Sequence, residues 1–147
     1  MAGSRALSLS VGFPGTGSTF ESEFFTLGVQ WSDVEPGRTG IDLGVGTLPR
    51  VLFEGVLGFG ARAALVRPVG IAEALVLLPT AGLSLLAGVA EGGVGGAYGR
   101  HMGLGALLAS PGGAIGLRPG VSAHRFAGAE ETLWLLELGV AVRGASR

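Results

Sequence analysis

One stretch, TLWLLELGVAVR at 132–143, constrains the fold more than any other. In steps of two, Trp134, Leu136, Leu138, Val140 and Val142 fall on one face, and Leu133, Leu135, Glu137, Gly139, Ala141 and Arg143 on the other. Strand side chains alternate between faces, whereas helix side chains return to one face every three or four residues. Period two held this long predicts a strand, apolar on one side and small and partly charged on the other. Such a strand is stable where its apolar side meets lipid and its other side is enclosed, the pattern of a transmembrane β-barrel strand.

The same alternation recurs along the chain. The run 6–13 sets Leu7, Leu9, Val11 and Phe13 against Ser8, Ser10 and Gly12. The run 25–32 sets Phe25, Leu27, Val29 and Trp31 against Thr26, Gly28, Gln30 and Ser32. In 40–46, Ile41, Leu43 and Val45 oppose Asp42, Gly44 and Gly46. A longer run, 53–66, opposes Phe53, Leu57, Phe59, Ala61, Ala63 and Leu65 to Glu54, Val56, Gly58, Gly60, Arg62 and Ala64. The stretch 75–89 is less regular, since 75–78 is continuously apolar, but Leu83, Leu85, Ala87 and Val89 still oppose Gly82, Ser84, Leu86 and Gly88. In 98–109, Tyr98, Met102, Leu104, Ala106 and Leu108 oppose Gly99, His101, Gly103, Gly105 and Leu107. In 114–124, Ile115, Leu117, Val121 and Ala123 oppose Gly116, Arg118, Gly120, Ser122 and His124.

Segments rich in Gly and Pro, at 14–18, 33–38, 67–70 and 110–113, separate these runs as turns. Connections this short join antiparallel neighbours, and no helix-length segment recurs to make parallel crossovers. Eight strands, each long enough to cross a bilayer at a tilt, account for nearly all of the 147 residues. The predicted fold is all-β: one closed, up-and-down antiparallel transmembrane β-barrel spanning 1–147, with tails at 1–5 and 144–147. Lipid makes closure compulsory, because an open edge would leave backbone N–H and C=O groups unpaired in hydrocarbon.

Composition agrees and excludes much else. Charged residues make up 14%, against about a quarter in an ordinary soluble domain, and 48% are hydrophobic. The 29 glycines follow no triplet repeat and sit among too many Leu and Val for a linker or disordered chain. A net charge of −1 supplies nothing to neutralise a row of phosphates, so no nucleic-acid partner is expected. The absence of cysteine removes disulfides, thiolate metal sites and cysteine nucleophiles together. All ten basic residues are Arg, which suits enclosed pairing better than Lys. Residues 1–4 carry neither a basic nor an apolar leader region, so export implies a signal peptide already removed.

With both termini on the periplasmic side, Phe13, Phe24, Phe25, Phe53, Tyr98, Phe126 and Trp134 cluster near the outer ends of their strands, and Trp31 near an inner end. Aromatic girdles of this kind mark the two membrane interfaces of such barrels. The chain resembles the small eight-stranded outer-membrane barrels of Gram-negative bacteria, the fold of the OmpA membrane domain and its relatives. The resemblance covers nearly the whole chain and consists of alternation rather than a motif. It departs at the end: such proteins usually close on an aromatic residue, whereas this chain ends Val142-Arg143-Gly144-Ala145-Ser146-Arg147. It implies residence in a bacterial outer membrane, contact with lipid or detergent, a monomeric state and no cofactor.

The less apolar face gathers Asp42, Glu54, Arg62, Arg118, Glu137 and, near one end, Arg143. An eight-stranded barrel is filled by side chains, and charges enclosed there must pair. An acid–arginine network that fixes the barrel's shape and leaves no open pore is expected, with a proton or ion pathway as the sharper alternative. His124 invites a catalytic reading. Lipid A deacylases of the PagL type carry a His, a Ser two residues later and a Glu further on. Here Phe126 stands at the Ser position, followed by Glu130, Glu131 and Glu137, while Ser122 lies two residues before His124 on the same face. A lipid hydrolase built on His124, Ser122 and Glu137 is the enzymatic alternative to a barrel without catalysis. His101 and His124 lack the close spacing of a metal-ligand pair, so no metal is expected. The glycine-rich run 92–99 lacks the Lys-Ser/Thr ending of a phosphate loop and reads as a mobile surface loop.

Two other architectures compete. The stretch 69–90 carries one charge, Glu73, and could span a bilayer as a helix, although Pro79 sits in its middle. A soluble, lipocalin-like carrier of an apolar ligand would use the same strands with the faces reversed. The expected role is structural, or recognition of a surface or envelope protein through the loops at 14–24, 47–53, 90–97 and 126–131.

Overall fold

The computed structural model describes residues 4–16, 19–20, 26–47, 57–90 and 93–144. Every regular element among them is a strand: β1 (Arg5–Thr16), β2 (Thr19–Phe20), β3 (Thr26–Asp33), β4 (Gly40–Thr47), β5 (Leu57–Val66), β6 (Val69–Ala72), β7 (Leu75–Ala90), β8 (Gly93–Ala109), β9 (Ile115–Phe126) and β10 (Leu133–Gly144). Eight of these make the wall in the order β10-β9-β8-β7-β5-β4-β3-β1, and β1 pairs back onto β10. Each of the eight wall strands is antiparallel to the wall strand before and after it, so the barrel is up-and-down. The closing ladder runs from Arg5 opposite Gly144 to Thr16 opposite Leu133, which places both of those end residues inside the ladder rather than in tails.

The two short strands prolong hairpins. β2 folds back on β1, with Phe20 opposite Gly15. β6 continues β5 against β7, with Val66 opposite Thr80 and Val69 opposite Leu77 in one register that then shifts between Gly70 and Ala72. The break falls at Arg67-Pro68, where Pro68 has no N–H to give the ladder, while the Arg67 N–H still donates to the Pro79 carbonyl at 3.2 Å.

The alternating faces divide as lipid would require. Leu9, Leu83 and Met102 point outward and are 67%, 68% and 71% exposed, whereas Ser8, Ser32 and Asp42 point inward and are fully enclosed. The lipocalin-like arrangement, with its apolar face inside, is therefore not the one adopted. An apolar plug of Ala6, Val34, Val66, Val76, Leu78, Leu107 and Ala141 fills the interior at the end that holds the termini.

Other expectations change as well. The stretch 69–90 is not a helix but the strands β6 and β7; no helix long and apolar enough to cross a membrane occurs among the described residues. Its continuously apolar segment arises because Val76 and Leu78 enter the plug. The run expected as a mobile loop, 92–99, is a strand from Gly93 onward, laddered to β7 from Ala90 opposite Gly93 to Ser84 opposite Gly99. Glycine faces both sides there, so no alternation marks it. Phe24, Phe25, Phe53 and Glu54 lie outside the described residues.

Candidate functional site: the barrel interior

Inward side chains of six strands meet in mid-barrel. Asp42 on β4 accepts from Arg118 Nη2 on β9 at 2.8 Å, from Gln30 Nε2 on β3 at 2.8 and 3.0 Å, and from the Ser32 hydroxyl. Arg118 Nη1 also donates to Ser32 Oγ at 2.7 Å and to Ser8 Oγ on β1 at 3.4 Å. Arg62 on β5 joins from the other side, with Nη1 2.9 Å from Glu137 Oε2 on β10 and Nε 3.9 Å from Asp42 Oδ1. Two acids and two arginines thus form one connected group spanning the interior. An enclosed ion pair tolerates its desolvation only when its remaining lone pairs and protons find partners, and Gln30, Ser8 and Ser32 supply them here.

Arg143, expected in this network, stands apart near the termini and donates to Ser4 Oγ at 3.1 Å. Sequence reasoning placed Gln30, Ser8 and Ser32 on the correct face but gave them no role. Their partners follow from cross-strand register, which no single run of sequence contains.

A second cluster sits beside the first. Ser84 Oγ on β7 lies 2.9 Å from His101 Nδ1 on β8 and 2.7 Å from His124 Nδ1 on β9. The two imidazoles are stacked with centroids 5.0 Å apart. One hydroxyl proton cannot serve two ring nitrogens, so one Nδ1 carries hydrogen and donates to Ser84 while the other accepts from it. His124 Nε2 is 2.8 Å from Ser122 Oγ. The sequence pairing of Ser122 with His124 is therefore present in space, but the second ring nitrogen of His124 meets Ser84 and not a carboxylate, and Glu137 is engaged by Arg62. His124 is enclosed rather than at the lumen mouth. Among the described residues no three His, Asp or Glu side chains converge as metal ligands.

Of the aromatics expected at the membrane interfaces, Tyr98 and Trp134 face outward toward the end distal to the termini, and Phe13 shares that face on β1. Phe59, also outward, joins them there. Trp31 lies at the opposite end, where the Arg5 guanidinium sits 5.0 Å over its ring. Phe126 differs: it is buried inside the barrel and stacks on His124, because its position shares parity with Ser122 and His124. Distal to the charged group, the interior opens into a cavity of about 360 Å³. On the proximal side it narrows to a void of about 30 Å³ beside Leu78 and Arg118.

No protein-family model and no curated protein matches the chain. Solved structures do. The N-terminal β-barrel domain of Pseudomonas aeruginosa OprF matches with a TM-score of 0.67 at 13% identity, over 95% of this chain and 97% of that one. The chain has the fold of the small outer-membrane barrels. Ail, the attachment invasion locus protein of Yersinia pestis, matches at 0.65 and 12% identity over 98% of this chain and all of that one. Neisserial surface protein A matches at 0.64 and 11% identity, over 95% of each chain. The expected closed, eight-stranded up-and-down architecture is therefore the observed one, and it is shared at 11–13% identity.

Proposed function

We propose that this chain is an integral protein of a bacterial outer membrane, non-enzymatic and closed to through-flow, acting as a structural element or as a surface-recognition barrel through its distal loops. The observation that carries this reading is the division of faces: the apolar side of each wall strand points out, while the interior holds the acid–arginine group and, proximal to it, the apolar plug. A lipid-facing exterior needs no polar partners, whereas a pore needs a continuous wet path, and Leu78, Val66 and Leu107 stand across it. Outer-membrane proteins are among the chains whose fold it shares.

The test is refolding of the denatured chain into detergent and into lipid vesicles. A β-rich spectrum, heat-modifiable gel mobility that requires the amphiphile, and no steady conductance in planar bilayers are expected. Folding in plain buffer would reject membrane residence, and a stable conductance step would reject the closed interior. The hydrolase reading has one observation in its favour, the 2.8 Å contact of Ser122 with His124. A base without an orienting carboxylate, enclosed away from the lipid, is poorly placed for acyl transfer. Lipid deacylation by the refolded barrel that disappears in His124→Ala with heat-modifiability intact would establish it.

A further inference from the structure

We infer that the distal half of the barrel interior is a binding site for a small neutral amphiphile, a narrow or flat apolar body with one hydrogen-bonding end. Its cavity of about 360 Å³ is in the size range of small-molecule sites, roughly 300–1,000 Å³. The two sides of that cavity are unlike. On one side Gly28, Gly46 and Gly60 stand directly opposite one another across β3, β4 and β5, a row of bare backbone. On the other side, half-way round the strand order, β9 and β10 contribute Phe126, Leu133 and Leu135. A slot with a flat peptide wall facing a ring and two leucines accepts a flat apolar body.

Water finds few partners between these two walls. The glycine N–H and C=O groups are spent in the ladder and Phe126, Leu133 and Leu135 offer carbon, while the polar side chains of the lining, Ser10, Thr26, Ser84 and His124 among them, lie around that slot. Displacing weakly held water by an apolar group favours binding. The floor is polar, with Gln30, Arg62 and Glu137, and this fixes the orientation of a ligand's hydrogen-bonding end. Charge is excluded by balance: Asp42 and Glu137 offset Arg62 and Arg118, so the described floor holds no surplus charge for an ionic ligand. As a measure of size, an engineered apolar cavity of about 150 Å³ takes benzene, so a site more than twice as large takes a two-ring aromatic.

The experiment uses the full chain in nanodiscs of deuterated lipid, titrated with 1-naphthol. Saturable binding beyond that of empty nanodiscs is expected, with nuclear Overhauser contacts from the naphthol ring to Leu133, Leu135 and Phe126. Two variants narrow the slot from opposite walls. Gly60→Leu is sterically mild at its root, since a Cβ there meets the flexible tip of Leu86 at 3.2 Å and the Leu85 carbonyl at 3.4 Å. Leu135→Trp fills from the other side. Each is expected to weaken binding about tenfold or more, a loss of roughly 1.4 kcal/mol, with heat-modifiable mobility retained. Unsaturable uptake equal to that of empty nanodiscs, contacts confined to outward residues such as Leu9 and Leu138, or unaltered affinity in folded variants would overturn the inference. Should either variant not fold, the contacts of the unaltered chain decide by themselves.

Discussion

Arg118→Met tests the interior most directly. The substitution keeps much of the side-chain volume but removes the 2.8 Å pair with Asp42 and the bonds to Ser32 at 2.7 Å and Ser8 at 3.4 Å. Asp42 is then left fully enclosed, with Gln30, Ser32 and the more distant Arg62 at 3.9 Å as its partners. Removing one member of a buried ion pair costs about 3–5 kcal/mol, and the partners that remain place the expected value near the lower end. A loss of about 3 kcal/mol is roughly two decades in the folding constant. Asp42→Asn in the same background removes the uncompensated charge, so the double variant should be more stable than Arg118→Met alone. Urea titration in lipid vesicles, followed by the fluorescence of Trp31 and Trp134 and by gel mobility, measures all three. A cost below about 1 kcal/mol for Arg118→Met would match an exposed ion pair, and would mean that Asp42 is hydrated in the folded barrel and the interior is wet.

Leu9 lies outward between Val29 and Val140 in mid-strand, so Leu9→Arg should destabilise by about 2–4 kcal/mol in the same titration. A negligible effect would place that level of the wall in water. At Gly82 a Cβ would come within 2.5 Å of the Ala64 Cα, backbone that cannot yield cheaply, so Gly82→Ala should cost about 1–3 kcal/mol and lower the yield of heat-modifiable barrel. Wild-type yield and stability would show that β5 and β7 approach less closely than described. Ser84→Ala withdraws the hydroxyl shared by two enclosed imidazoles and should cost about 1–3 kcal/mol, with faster exchange of the imidazole N–H protons seen by NMR. An unchanged spectrum would mean that the histidines find other partners.

The wall was legible in the sequence wherever the outward face was large and apolar and the inward face small or charged, as in 6–13, 25–32 and 132–143. It was illegible where that contrast fails. At 75–78 the inward residues Val76 and Leu78 are as apolar as their outward neighbours, because they form the plug rather than the polar interior. Period-two reading detects a difference between faces, so a strand buried on both sides looks like part of a helix. Gly93–Gly99 fails for the opposite reason, since glycine on both faces carries no contrast at all. The acid–arginine group was half legible. Face parity put Asp42, Arg62, Arg118 and Glu137 inside, but the division into an Asp42–Arg118 pair and an Arg62–Glu137 pair depends on register across six strands. The Ser84–His101–His124 cluster is of the same kind, three strands meeting at one point, and only its within-strand Ser122–His124 contact was visible in advance.

Register also explains the glycine content, which alone would argue against strands. Long inward side chains sit opposite glycines of the adjacent strand. Arg62 faces Gly44, where a Cβ would come 3.0 Å from Nε and 3.1 Å from Cγ. Arg118 faces Gly139, Glu137 faces both Gly12 and Gly120, and His101 faces Gly82. In an interior this narrow, these four large polar residues each have a neighbour without a side chain, and glycine is the residue that supplies the space without adding volume. The cost in strand propensity is offset by closure, which fixes every backbone group in a ladder whatever the side chain. Where the glycines have no large partner opposite, at Gly28 and Gly46, and at Gly60 on its β4 side, the same rule leaves space unfilled, and that is where the cavity lies. The pairing of bulk with glycine thus accounts for both the packed middle of the barrel and the empty half beyond it.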